Sequence, residues 1–253
     1  MARYAISDIH GCRKTFKDLL KIINYTRSDT LYILGDMIDR GPDSKGVLDL
    51  ILTLLEQNYD VRVVKGNHED LMLQSLENRA AESCWFQNGA KQTIASYNGE
   101  SPGPYGIPSS VPWTQLIPEK HLNFLQSLPT LIELDDYVLV HAGLKFNEDS
   151  NDRLAKMFYP EMSDLKITDA ISQTCDEDRM WIREYIYDAS LVNNKYLVTG
   201  HTPIPLEALI EQSLKFDHFM IDGGCVYGAK YGYGNLIALN LDTFEINYTR
   251  CID

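Results

Sequence analysis

Apolar residues in the first quarter of the chain come in short runs separated by stretches with helical spacing. RYAIS (3–7) reads as a strand, and TFKDLLKIIN (15–24) as an amphipathic helix with its apolar positions on one face. TLYILG (30–35) is a second strand, SKGVLDLILTLLEQ (44–57) a second helix and VRVVKG (61–66) a third strand. Strand–helix–strand at this spacing predicts a parallel sheet with right-handed crossovers. Later the rhythm changes. YVLVHAG (137–143), YLVTGHT (196–202), HFMIDGG (218–224), LIALNL (236–241) and EINYTR (245–250) read as strands, with little helix between the last four. A βαβ half followed by a β-rich half predicts an α/β fold in which two sheets pack face to face as a β-sandwich with helices outside. Residues 98–113, rich in Gly, Pro and Ser, read as a surface loop. One domain over 1–253 is expected, with helical or loop excursions at about 77–130 and 145–195.

Composition narrows the function classes. The 44% hydrophobic content fits a globular protein, and no apolar run approaches the ~20 residues that span a membrane. The opening MARYAISDIHG lacks the apolar core of a secretion signal. Cys12, Cys84, Cys175, Cys225 and Cys251 are odd in number, widely spaced and free of CxxC pairs. That predicts reduced thiols in a cytoplasmic protein, and neither a disulfide framework nor a zinc ribbon. A formal net charge of −13 opposes extended binding to nucleic acid or to an anionic membrane, but leaves room for a small phosphorylated substrate met by a few local cations.

Five polar clusters each follow an apolar run: SDIHG (7–11), GDMIDRG (35–41), GNHE (66–69), HAG (141–143) and GHTP (200–203). Ligands of α/β sheets bind beyond the carboxyl ends of the strands, so the clusters can converge on one edge. Asp8 and His10, two apart on a strand, are expected on one side of it, whereas neighbours Asn67 and His68 on an extended strand end are expected to diverge. Carboxylate, amide and imidazole together suit divalent first-row ions. Asp8, His10, Asp36, Asn67, His141 and His201 are more donors than one tetrahedral site needs, which predicts two ions sharing a carboxylate. A single strand-end Asp is ordinarily a turn or helix cap, and a single buried His ordinarily a hydrogen-bonded core residue. Five such clusters in one chain favour the metal-site reading.

This set of motifs resembles the phosphoprotein phosphatase family of calcineurin-like dimetal phosphoesterases, and its bacterial serine/threonine phosphatase branch in particular. The resemblance implies an αββα sandwich. It implies that Asp8, His10 and Asp36 bind one metal, and that Asp36 bridges to a second held by Asn67, His141 and His201. His68 would then be the general acid, Asp39 its orienting partner, and Arg40, Asn67 and Arg183 the phosphate contacts. Two divalent ions are implied as cofactors, Mn2+ first, with Fe or Zn compatible. The implied reaction is hydrolysis of phosphoserine or phosphothreonine in a phosphoprotein or phosphopeptide, by direct attack of a metal-bridging hydroxide and without a phosphoenzyme. Symmetrical dinucleoside tetraphosphate hydrolases share the scaffold and form the alternative. For that alternative Trp85, Phe86, Tyr97, Tyr105 and Trp113 are candidate base-stacking walls, and Lys91 an added cation. Among residues outside the motifs, His121 is expected on a helix surface and His218 beside a strand. VYGAKYGYG (226–234) reads as a glycine-rich hairpin or loop, and the resemblance implies that it approaches the active site with Tyr227 or Tyr231 against substrate. Trp181 is expected to line or staple an excursion.

Overall fold

The protein is described here from a computed structural model covering residues 1–99, 111–146, 167–212 and 217–253. Strands β1 (Arg3–Ile6), β2 (Thr30–Ile33) and β3 (Asp60–Val63) alternate with helices α1 (Arg13–Ile22) and α2 (Ser44–Glu56), as the apolar rhythm predicts. The three strands pair in parallel, with Tyr4 opposite Leu31 and Leu31 opposite Val61. Strands β8 (Asn235–Asn240) and β9 (Ile246–Arg250) complete this sheet antiparallel, in the order β3-β2-β1-β8-β9. A second sheet runs β4-β5-β6-β7, from β4 (Leu131–Glu133), β5 (Tyr137–Val140), β6 (Tyr196–Thr199) and β7 (His218–Met220). Within it β5, β6 and β7 are parallel.

Side-chain alternation explains the layering. Ala5, Tyr32, Leu139, Val198 and Ile237 point inward between the two sheets. Their neighbours Ile6, Ile33 and Ala238 point outward, against Phe16 and Leu19 of α1 and Leu48 and Ile51 of α2. On the far side Val138, Val140 and Leu197 pack against Ala170 and Val192. Helix, sheet, sheet and helix therefore stack in the expected αββα order.

Several local expectations need correcting. Helix α9 (Leu206–Gln212) lies between β6 and β7, where little helix is expected. Past β3 the chain turns at once into α3 (Asn67–Gln74), followed by α4 (Arg79–Gln87), α5 (Ala90–Asn98) and α6 (Glu119–Ser127). The 77–130 excursion is thus largely helical where described. Most of the loop expected at 98–113 lies outside the described residues, as does Tyr105. The described part of the 145–195 excursion holds only the short helices α7 (Ala170–Gln173) and α8 (Asp176–Trp181) and a 3-10 turn. His121, expected on a helix surface, is fully buried in α6 and bonded to the Tyr97 hydroxyl at 2.6 Å and to Asp49 at 3.2 Å. His218 does sit beside a strand, sharing a 3.0 Å bond with Thr199 of β6. Among the described residues no helix is long and apolar enough to cross a membrane.

Candidate active site

Six parallel strands end at one rim of the sandwich, and each is followed within a few residues by a polar group. Asp8 and His10 follow β1, Asp36 follows β2, Asn67 follows β3, His141 follows β5, His201 follows β6 and Asp222 follows β7. Asp8 and His10 converge by a route other than strand alternation, since β1 already ends at Ile6. Asp8, His10, Asp36, Asp39, Arg40 and His201 all have positive φ, between 45° and 71°. A non-glycine residue in that region costs about 1–3 kcal/mol, so the packed frame around these loops must hold them there. These reversals carry the side chains back over the strand ends.

Asn67 and His68 also diverge for a reason other than an extended backbone. They open α3, where successive side chains are turned by about 100° around the axis, and Gly66 precedes them. A Cβ on Gly66 would lie 2.3 Å from the Asp36 Oδ1 oxygen and 2.5 Å from the Asp36 amide nitrogen. Only glycine lets β3 approach the Asp36 loop this closely. Glu69, in the first turn of α3, serves the helix terminus as a first-turn acid should. It also accepts from the backbone N–H groups of Asp36 (2.9 Å), Met37 (2.8 Å), Ile38 (3.3 Å) and Gly66 (2.9 Å). One buried carboxylate therefore fixes the whole Asp36 loop.

The donor atoms fall into two groups that share Asp36. Its Oδ2 oxygen is 3.5 Å from His10 Nε2, which is 3.9 Å from Asp8 Oδ1. Its Oδ1 oxygen is 3.4 Å from His141 Nε2. Asn67 Oδ1, His141 Nε2 and His201 Nδ1 lie 3.0 to 3.2 Å from one another. Atoms bonded at about 2.1 Å to one ion at right angles sit about 3.0 Å apart, so this triangle has the edge a metal's coordination face requires. Tautomers agree with it. The Nδ1 atoms of His10 and His141 donate to the Ile38 and Leu34 carbonyls at 2.8 and 2.6 Å, which leaves each Nε2 lone pair facing the cluster.

Electrostatics point the same way. Burial, reinforced by Asp8 and Glu69, pushes Asp36 well above the carboxylate range. Burial pushes His10 well below its ordinary range, and burial with His141 and Arg183 pushes His201 down to about 2. Buried acids and neutral imidazoles crowd one small volume that by itself favours no charge, and a multivalent cation reverses that preference. The two donor groups sharing Asp36 have the chemistry to hold divalent ions: Asp8 and His10 would join Asp36 around one, and Asn67, His141 and His201 around the other.

His68 lies beside this cluster. Its Nδ1 meets Asp39 Oδ2 at 2.7 Å, while its buried Nε2 has no hydrogen-bond partner among the described residues and lies 3.8 Å from Asp36 Oδ2. Asp39 is itself held by Trp85 Nε1 at 2.8 Å and Thr93 Oγ1 at 2.6 Å. Trp85 is fully buried, so it positions Asp39 and cannot wall a base site. Trp113 packs on Trp85 at 4.8 Å and donates to Glu82. Trp181 stands edge-on to His201 at 6.3 Å.

Arg40 reaches to 2.8 Å from His10 Nε2, and its guanidinium lies 5.6 Å from the centre of the Tyr227 ring. Arg183, just past α8, donates to the His201 carbonyl at 3.2 Å and to Thr202 at 3.3 Å, an exposed position on the rim. Tyr227 therefore reaches the site region through Arg40, whereas Tyr231 is 88% exposed and has no such contact. Lys91 is exposed on α5. The residues that sequence reasoning missed are Glu69 as a loop clamp, Trp85 and Thr93 as supports of Asp39, and Asp222. Burial and Asp8 push the Asp222 carboxyl well above the carboxylate range, and it accepts from the Gly224 amide at 2.8 Å. IDGG follows a strand just as GDMIDRG does, which is the signal that could have found it.

A model of the calcineurin-like phosphoesterases matches residues 1–238, and every strand-end donor described above falls inside the match. The chain belongs to the calcineurin-like phosphoesterase family. Over 146 residues this phosphoesterase is 36% identical to the symmetrical bis(5'-nucleosyl)-tetraphosphatase of Nitrosomonas europaea, covering 57% of the chain but only 45% of that relative. The asymmetrical bis(5'-nucleosyl)-tetraphosphatase of Anoxybacillus flavithermus is 27% identical over 254 residues, covering 95% of this chain and 90% of that one. Among solved structures, a putative diadenosine tetraphosphatase superposes with a TM-score of 0.61 at 20% identity, over 98% of this chain and 92% of the other. A serine/threonine protein phosphatase from Saccharomyces cerevisiae does so with a TM-score of 0.59 at 14% identity, over 100% and 81%. At such identities the two structures speak for the shared fold alone.

Proposed function

We propose that this phosphoesterase hydrolyses dinucleoside tetraphosphates, which reverses the order of the two substrate classes expected from the motifs. The observation that carries the proposal is a cleft beside Arg40, about 400 Å³ in volume and lined by Arg40, Gln87, Asn88, Gly89, Gln92, Val226 and Tyr227. The Gln87 and Gln92 side-chain amides offer paired donors and acceptors of the kind that match a purine edge, while the Asn88 amide already donates to the Cys84 carbonyl at 2.8 Å. Tyr227, half exposed, offers a ring face on which a base can stack. The phosphoserine side chain itself carries no ring to use either feature, whereas a dinucleotide brings a base with every molecule bound. The tetraphosphatase names of the two curated relatives support the same reading. Arg40 and Arg183 supply local positive charge that the overall balance of −13 lacks.

In this reading two divalent ions, when bound, supply an activated water and positive charge beside the phosphorus. Arg40, with Arg183 across the rim, holds phosphoryl oxygens and orients the chain of phosphates. Asn67, at the head of α3, lies where it can meet a phosphoryl oxygen as well as a metal. His68 delivers the proton from Nε2 to the departing oxygen, with Asp39 fixing its ring through Nδ1. Burial, Arg40 and Arg183 hold the His68 imidazole well below its ordinary range.

Gln92→Leu and Tyr227→Ala test the proposal. Losing one base-stacking contact costs about 1–3 kcal/mol, so KM for diadenosine tetraphosphate should rise about tenfold or more. Hydrolysis of nitrophenyl phosphate by Gln92→Leu should stay nearly unchanged. Equal effects on both substrates, or none on the dinucleotide, would overturn the reading.

A further inference from the structure

Three of the five cysteines meet in space. Cys12 precedes α1, Cys225 opens the 3-10 turn Cys225–Tyr227, and Cys251 follows β9. Their sulfur atoms all lie within 4.8 Å of one another, with Cys12 and Cys251 at 3.7 Å. Cys12 and Cys225 are buried and Cys251 is partly so, whereas Cys84 and Cys175 are exposed and belong to no such cluster among the described residues. The trio shares no atom with the histidine, carboxylate and amide donors of the active site. Nor does it follow from any local motif, because the three residues are separated by more than 200 positions at one gap and by 26 at the other.

The geometry points to a soft-metal site, and we propose that Cys12, Cys225 and Cys251 bind one zinc-type ion as a three-thiolate centre. Thiolate donors select Zn2+, Cu+ and their heavier analogues over the hard ions that suit carboxylates. Sulfurs bonded at about 2.3 Å to a tetrahedral ion sit about 3.8 Å apart, against the observed 3.7 Å for Cys12 and Cys251. Bringing Cys225 to the same spacing requires a movement of about 1 Å at most, within the reach of a side-chain rotation. No histidine, carboxylate or further thiol among the described residues joins the three within that radius, so the fourth position is open. Cys251, partly exposed, gives the ion its way in. A disulfide would use only two of the three sulfurs and would need one pair to close to about 2.05 Å.

Such a centre would clamp three separate segments. Cys12 is two residues beyond His10, and its thiol faces the His10 carbonyl at 3.6 Å. Cys225 is two residues before Tyr227, whose ring stands over Arg40. Cys251 holds the C-terminal strand, its amide bonded to the Gly234 carbonyl at 2.8 Å. Metal at the cysteines would therefore stiffen the Tyr227 turn relative to the loop carrying Asp8 and His10.

The test uses reduced, Mn2+-loaded full-length protein titrated with Co2+ and, separately, Cd2+. Thiolate-to-metal charge-transfer absorption should appear and saturate at one equivalent, a signal that the sulfur-free active-site donors cannot produce. Cys225→Ser and Cys251→Ser should each weaken binding at least tenfold, while Cys84→Ser and Cys175→Ser leave the absorption intact. If a serine variant fails to fold, alkylation of the native wild-type chain decides. Cd2+ should protect Cys251 from the reagent while Cys84 and Cys175 still react. Absence of the absorption, its persistence in Cys225→Ser and Cys251→Ser, or equal labelling of Cys251 with and without Cd2+ would overturn the proposal. So would a Cys12–Cys251 disulfide in the isolated protein with no metal uptake after reduction.

Discussion

Asp39→Asn separates orientation from charge at the proposed general acid. In the native site Oδ2 accepts from His68 Nδ1 at 2.7 Å and Trp85 Nε1 at 2.8 Å, and Oδ1 accepts from Thr93 at 2.6 Å. An asparagine can present its single oxygen to both N–H donors and turn its amide toward Thr93, whose hydroxyl can accept. Ring orientation then survives and the anion is lost. Two unit charges about 4 Å apart interact by about 4 kcal/mol at an effective dielectric constant of 20, which bounds what a protonated His68 loses. General acid catalysis is worth about 10²- to 10⁴-fold, so kcat on an alkyl phosphate should fall about 100-fold. On nitrophenyl phosphate, whose leaving group needs little protonation, the loss should be much smaller. Stability should move the opposite way. Burial raises Asp39 from 3.8 to about 7, so the neutral form's contribution to folding is full below pH 3.8 and is lost as pH rises through 7. At 1.36 kcal/mol per pH unit that loss is bounded at about 4 kcal/mol. Asparagine never ionises, so the variant should be at least as stable as wild type at pH 8, with the difference shrinking toward pH 4. Urea midpoints across that range, together with kcat for both leaving groups, check both halves. An equal kcat loss for the two leaving groups, or a clearly less stable variant at pH 8, would rule out this role for Asp39.

Chelation should abolish activity and Mn2+ should restore it, measured as initial rate against bound metal; full activity in metal-free protein contradicts the assigned donors. His68→Asn should lower kcat on an alkyl phosphate by about 10²- to 10⁴-fold with metal content unchanged by atomic spectroscopy. Arg40→Ala should raise KM and lower kcat together, because its charge meets the phosphoryl group before and during reaction. Arg183→Ala should do the same more weakly, given its place on the exposed rim; unchanged kinetics would return Arg183 to the solvated surface.

Most of the framework was legible because it is written in local periodicity. The strand–helix–strand opening, the later strands and the polar clusters at their ends all appear as apolar runs of fixed rhythm. What was not legible depends on where the chain goes after a strand ends. Asp8, His10 and Asp36 converge through left-handed loop residues, which alternation cannot foresee. Asn67 and His68 diverge because α3 starts there, and that start depends on Gly66 passing close to Asp36. Trp85, 46 positions from Asp39, is by sequence a candidate base-stacking wall, and only packing puts its N–H on that carboxylate instead. The cysteine trio was hidden for the same reason. Spacing rules detect ligands that are near in sequence, and these three are joined only by the sheet.

On the proposed function, the cleft beside Arg40 accepts a nucleotide in preference to a peptide. The direct measurement is kcat/KM for diadenosine tetraphosphate and for a phosphoserine peptide, on one preparation at matched Mn2+, with the nucleotide products identified. The larger value is expected for the dinucleotide. A phosphopeptide value tenfold or more above it would make this phosphoesterase a protein phosphatase instead.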